Sequence, residues 1–85
     1  MSDAGKILEQ MRREPASVRF ADLRKVCVAY FGEPWQSGTS HAVFRIPLAG
    51  DPRVNIQSDK SKAKTYQVRQ VLAATEKLEG MRHER

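Results

Sequence analysis

Hydrophobic residues recur along this chain at two periods, and the period changes once near residue 35. Residues 5–14, GKILEQMRRE, place Ile7, Leu8 and Met11 on one stripe, which predicts a short helix. Pro15 ends it, because the residue before a proline is steered out of the helical region. This segment reads as an N-terminal appendage to the main fold. Residues 19–31, RFADLRKVCVAYF, carry Phe20, Leu23, Val26, Cys27, Tyr30 and Phe31 at three- and four-residue steps. That is one apolar helix face, with Arg19, Asp22, Arg24 and Lys25 on the other. Gly32 fits as its stop, and Pro34 prevents resumption.

After residue 35 the period falls to two. In HAVFRIP, Ala42, Phe44 and Ile46 alternate with His41, Val43 and Arg45; in RVNIQ, Val54 and Ile56 alternate with Arg53, Asn55 and Gln57. The intervening PLAGDP is turn-forming, so the two runs predict an antiparallel hairpin. WQSG, just before, supplies a short extra edge strand. SDKSKAK, residues 58–64, reads as a polar basic loop. A further helix is expected over 65–79, with Thr65 as N-cap and Val68, Val71, Leu72, Thr75 and Leu78 as its buried stripe. Gly80 should stop it and leave MRHER, with His83, as a frayed tail. The elements predict an α+β fold: a small antiparallel sheet of two to three strands with helices on one face. Its other face is left to solvent, presenting His41, Arg45, Arg53, Asn55 and Gln57.

The chain is 85 residues long, which fits one thin-cored domain and an open site rather than an enclosed one. Fifteen lysines and arginines against ten acidic residues give a formal charge of +5, which favours a polyanionic partner. No stretch approaches the roughly 18 apolar residues of a membrane helix. The N-terminus lacks the apolar run of a secretory signal, so a cytoplasmic protein without a membrane partner is expected. The single cysteine, Cys27, excludes an intrachain disulfide and a cysteine-built zinc site, and its neighbours make it a small core residue. Asp22 and Asp59 are too isolated in the sequence to argue for a paired-carboxylate or metal mechanism, so neither metal nor cofactor is expected.

The candidate chemistry lies in GTSH, residues 38–41, where a Gly-Thr-Ser turn delivers a histidine to the start of a strand. Gly38 is expected to use backbone angles closed to other residues and so aim the ring outward. Chemistry on a phosphate ester requires moving protons at the attacking and departing oxygens. Histidine, with an unperturbed pKa of about 6.5, serves either role near neutrality. Thr39 and Ser40 offer amides and hydroxyls to a phosphate oxygen, and Arg45 is the candidate to steady phosphoryl charge. Arg53, Lys60, Lys62, Lys64 and Arg69, opposed by Asp59, form a candidate track for a phosphate backbone leading into a helix N-terminus. Trp35 and Tyr66 are read as packing residues, with base stacking as the second option.

A helix, GTSH opening a strand, the hairpin runs AVFRIP and VNIQ, a lysine-rich loop and a final helix together resemble the HicA toxins of HicA–HicB toxin–antitoxin pairs. The resemblance spans about residues 18–79, with 1–15 as a helical extension and 80–85 as a tail. It implies a double-stranded-RNA-binding-domain-like arrangement. The implied activity is metal-independent cleavage of mRNA through one histidine, with no DNA binding by the toxin itself. It also implies silencing by a HicB-like antitoxin laid over the site. Position by position, Gly38 and His41 match the turn glycine and catalytic histidine, and Thr39 suits the pattern. Ser40 stands where members vary. Many members carry a second histidine where this chain has Ala42, so no helper group carries over. Two other readings fit the same residues: a non-catalytic RNA-binding module, and an adaptor whose charge binds an acidic protein.

Overall fold

In the computed structural model, which describes residues 3–48, 50 and 52–83, the chain begins with helix α1, Asp3–Arg13. A 3₁₀ turn over Pro15–Ser17 follows, then α2, Phe20–Phe31. Four strands come next: β1 Gln36–Ser37, β2 His41–Arg45, β3 Arg53–Asp59 and β4 Lys62–Ala63. Helix α3, Thr65–His83, ends the described chain. The strands form one antiparallel sheet in the order β1-β2-β3-β4. The fold is therefore α+β, compatible with a double-stranded-RNA-binding-domain-like arrangement, and its sheet has four strands rather than two or three.

The central pair is β2 with β3. Its register sets His41 against Gln57, Ala42 against Ile56, Val43 against Asn55, Phe44 against Val54 and Arg45 against Arg53. Because side chains alternate along a strand, this register puts the apolar residues of both strands other than Val43 on one face. Ala42, Phe44, Val54 and Ile56 are buried there, together with Ile46 just beyond β2. Leu23, Val26 and Cys27 of α2 and Val68, Val71 and Ala74 of α3 complete that core. Phe31 packs on Phe44 with the rings tilted at 58° and their centroids 6.4 Å apart. Gly32 takes φ 91°, a left-handed conformation that suits glycine, and its N–H closes α2 on the Val28 carbonyl.

Helix α1 is not an appendage. Ala4, Ile7, Leu8 and Met11 follow the i, i+3, i+4, i+7 spacing and are all buried, Met11 completely. They pack on α2 and α3 rather than on the sheet, so the helices form two tiers. An isolated helix of 11 residues is marginal in water, and this stripe supplies the tertiary contacts that hold it. The exposed Arg12–Glu76 pair, 3.8 Å apart, adds little by comparison.

The other corrections concern the two ends of α3. Residues 58–64 are not a loop: β3 continues to Asp59, turns at Lys60 and Ser61, and returns as β4 with Ala63 buried. Both turn residues have positive φ, 54° and 71°, which matches the twist that two-residue hairpins need. The hairpin is tied to the α1–α2 connection. Ala63 N–H donates to the Val18 carbonyl, and Phe20 N–H, an orphan donor at the start of α2, donates to the Ser61 carbonyl. The first turn of α3 bonds to the Lys64 carbonyl, which accepts from Gln67 and Val68, so Lys64 holds the cap position and Thr65 is already helical. At the other end the helix runs through Gly80 to His83. Gly80 has no left-handed φ to stop it, and the Tyr30 hydroxyl donates to Glu79 Oε2 at 2.6 Å, which fixes α3 to α2 just before the glycine. Of the expected frayed tail, residues 81–83 are helical, and 84–85 lie outside the described residues.

If α1 belongs to the core, Met11→Ala should lower unfolding stability by about 2–5 kcal/mol, the usual range for emptying a fully buried methionine site. Urea titration followed by circular dichroism measures this. A loss under about 0.5 kcal/mol would return α1 to the status of an appendage.

Candidate functional site

The helices cover one face of the sheet and leave the other open. On the open face the register sets out, from one end to the other, His41 beside Gln57, Val43 beside Asn55 and Arg45 beside Arg53. All are exposed except Val43, which is half-buried. The alternation read from the sequence therefore places these side chains as expected.

His41 sits at the first position of β2, immediately after a tight turn. Gly38 N–H donates to the His41 carbonyl at 2.9 Å, and the Ser40 carbonyl accepts from Ser58 N–H at 2.8 Å. The turn is thus clamped on both sides, to its own hairpin and to β3. The Gly38 backbone is not in the left-handed region, which corrects the expectation that it supplies unusual angles. Its role is spatial: a Cβ there would stand 2.7 Å from His41 Cε1 and 3.1 Å from Nδ1. Only a residue without a side chain lets the imidazole lie over that Cα. The residue is exposed, its ring lies with the Cε1 and Nδ1 edge nearest Gly38, and its nitrogens make no hydrogen bond to the described residues.

The residues around His41 differ in part from those expected. Thr39 and Ser40 are exposed, with amides and hydroxyls that donate to nothing in the described chain. Gln57 lies directly across, at the roughly 4.5–5.5 Å Cβ spacing of a cross-strand pair. Asp59 is the diagonal neighbour, at roughly 7–8 Å, although the sequence alone made it look isolated. Lys62 pairs with Asp59 across the β3–β4 hairpin, and Lys60 stands at its tip, so both lysines belong to the His41 end of the sheet. Lys64 is half-buried and leads into α3. Arg69 is exposed on α3.

Arg45 does not join this group. Four residues along an extended strand is about 13 Å, which carries it to the far end of the face. There its guanidinium carbon lies 5.4 Å from the centroid of the Trp35 ring, and that of Arg53 lies 4.6 Å from the same centroid. Trp35 is 50% exposed and Tyr66 57% exposed, so neither belongs to the buried core, and Trp35 packs against the two arginines instead. This cluster escaped the sequence reading, although Arg45 and Arg53 flank the PLAGD segment symmetrically enough to signal that they would meet.

One buried polar residue supports the site from behind. Gln67 is 2% exposed; its Oε1 accepts the Gln57 N–H at 2.7 Å, and its amide nitrogen donates to the Tyr66 hydroxyl at 3.2 Å. It fixes α3 to the residue of β3 that faces His41. Its spacing with Val71 and Thr75, four residues each, was the available signal. Cys27 takes no part: burial pushes its thiol up from 9.0 to about 12, with Arg24 pulling weakly the other way. It therefore stays a protonated core residue at neutral pH. Among the described residues no three His, Cys, Asp or Glu side chains gather into a metal-binding group, and no helix is long and apolar enough to cross a membrane.

Comparison with protein-family models, with curated proteins and with solved structures finds no match to this chain.

The Gly38–His41 contact has a direct test. Gly38→Ala should leave thermal stability nearly unchanged, since the clashing atom belongs to a side chain that can swing away. It should displace the ring and shift the His41 Cε1–H resonance in a proton NMR spectrum. An unmoved resonance would show that the glycine does not position the imidazole.

Proposed function

We propose that this protein is a metal-independent endoribonuclease acting on mRNA through His41, the toxin half of a type II toxin–antitoxin pair. The observation that carries the reading is the exposed imidazole, without a hydrogen-bond partner among the described residues, at the end of an open, basic sheet face. The resemblance of the GTSH segment to HicA toxins points the same way.

In this reading the neutral ring takes the proton of the 2′-hydroxyl as that oxygen attacks the neighbouring phosphorus. The P–O5′ bond breaks, and the leaving oxygen collects a proton from the imidazolium or from water. A positioned acid–base group of this kind contributes about 10²–10⁴-fold. Thr39 and Ser40 have free donors for a phosphate oxygen, and Lys60 and Lys62 hold the strand's charge at that end. Lys64 and Arg53 extend the basic track. A small acidic HicB-like antitoxin covering the same face would silence the enzyme by occupying it, and the +5 charge suits such a partner. The toxin alone would act in the cytoplasm on RNA and not on DNA.

One observation favours a second reading, a non-catalytic RNA-binding module. Among the described residues no titratable side chain hydrogen-bonds to His41 to share the proton transfers, Asp59 being only a diagonal neighbour.

The two readings separate in one assay. Purified protein incubated with labelled mRNA in EDTA should cut it, and His41→Ala should remain folded, cut at least about 100-fold more slowly and lose toxicity on expression. Cutting that needs magnesium, or that survives the substitution, contradicts the nuclease. Salt-sensitive binding with no cleavage by the wild-type chain establishes the module.

A further inference from the structure

We infer that Trp35, with Arg45 and Arg53, forms a base-stacking and phosphate-binding subsite for single-stranded RNA, at the end of the open face opposite His41. The inference rests on the reading of that face as an RNA surface and adds where, and by what contacts, the strand is held.

The geometry gives the cluster no structural purpose of its own. Trp35 lies outside the buried core, and half of its surface faces solvent. Its backbone is fixed, because its N–H donates to the Val43 carbonyl at 2.8 Å, so the indole is carried by β2. Arg45 and Arg53 are direct cross-strand partners. Like charges in that position repel and weaken a sheet. The indole ring offsets part of this, since both guanidinium carbons lie within the about 6 Å of a cation–π contact. The result is two positive groups held together on an aromatic plane, with no carboxylate bonded to either among the described residues. An anion placed at that pair relieves the repulsion, and a flat apolar group can stack on the exposed part of the ring or on a guanidinium plane. A nucleotide offers both at the distance of one sugar.

The stretch between this cluster and His41 decides the kind of partner. It carries Gln36, Asn55 and Gln57, all exposed amides, and the half-buried Val43. Along this stretch Val43 is the one apolar side chain, so what it offers a partner is hydrogen bonding rather than an apolar core. Amides suit the edges of unpaired bases. The two ends are about 13 Å apart along β2. At about 3.4 Å per stacked nucleotide, that span accommodates on the order of four nucleotides between the stacked base and the phosphate at His41.

The chain has a single tryptophan, so its fluorescence reports on this position alone. The probe is a single-stranded oligouridylate of about eight nucleotides, within the usual length range for such sites, titrated into the His41→Ala variant so that it is bound without being cut. Saturable quenching of Trp35 is expected. Anisotropy of the labelled oligonucleotide should show that adding Trp35→Ala weakens binding about five- to a hundredfold, whereas Trp35→Phe retains most of it. The double change Arg45→Gln with Arg53→Gln should flatten the slope of log K against log salt by about 1.4. Circular dichroism confirms that each variant is folded, and the phenylalanine variant keeps the test valid if the alanine variant is not. Binding without any change in Trp35 fluorescence, equal affinity of the Trp35→Ala variant, or quenching by polyglutamate but not by the RNA would each overturn the subsite. Failure of cleavage is a different outcome: quenching by RNA that the wild-type chain never cuts removes the nuclease and leaves the subsite. Cleavage that depends on His41 with an unresponsive Trp35 does the reverse.

Discussion

The pairing of β2 with β3 in one register is the constraint on which the rest of this molecule depends. A slip of one residue would turn the apolar set of one strand, Ala42 and Phe44 or Val54 and Ile56, to solvent and its polar set, His41 and Arg45 or Arg53 and Gln57, into the helices. Burial of Phe44 and Ile56 against α2 and α3 makes that alternative very costly. The apolar faces that fold the domain thus also determine which side chains face outward. Gln67 reinforces the register from the helix side, because its amide accepts the Gln57 N–H and its own burial forbids leaving that bond unmade.

The open face has two chemically distinct ends. At one, a turn clamped by backbone hydrogen bonds delivers an imidazole across a glycine, with Lys60 and Lys62 on the neighbouring hairpin. At the other, two guanidinium groups share an indole ring. The amide-bearing stretch between them is continuous and shallow. Such a surface suits a flexible polyanion lying along the strands better than a small molecule that needs enclosure. The two tiers of helices leave this face uncovered, and α1 contributes by sealing the outer side of α2 and α3 instead.

The parts of the fold governed by periodicity were legible in the sequence. Strict alternation in HAVFR and RVNIQ assigned each side chain to its face, and three- and four-residue steps located α2 and the body of α3. What was not legible depends on contacts between segments distant in the chain. Asp59 looked solitary until β3 and β4 set it near His41, and Trp35 looked like a packing residue until Arg45 and Arg53 were found over it. The polar composition of SDKSKAK hid a hairpin because its bonds run to Val18 and Phe20, more than forty residues away by sequence. Gly80 resembled a helix stop, but without a left-handed φ it stays within α3, which runs on to His83. At Gly38 the sequence suggested backbone freedom, whereas what the glycine supplies is space for the His41 ring.

The central claim is that the uncovered sheet face is the surface that engages RNA. Backbone amide NMR of the labelled His41→Ala chain, with a single-stranded RNA added to saturation, tests it most directly. The account predicts that perturbed resonances trace the strands from Trp35 through Val43 and Asn55 to Ser40 and Lys62, leaving the outer surfaces of α1 and α2 unchanged. Perturbations centred on Arg12, Arg13, Arg24 and Lys25, with the strand amides unmoved, would contradict it.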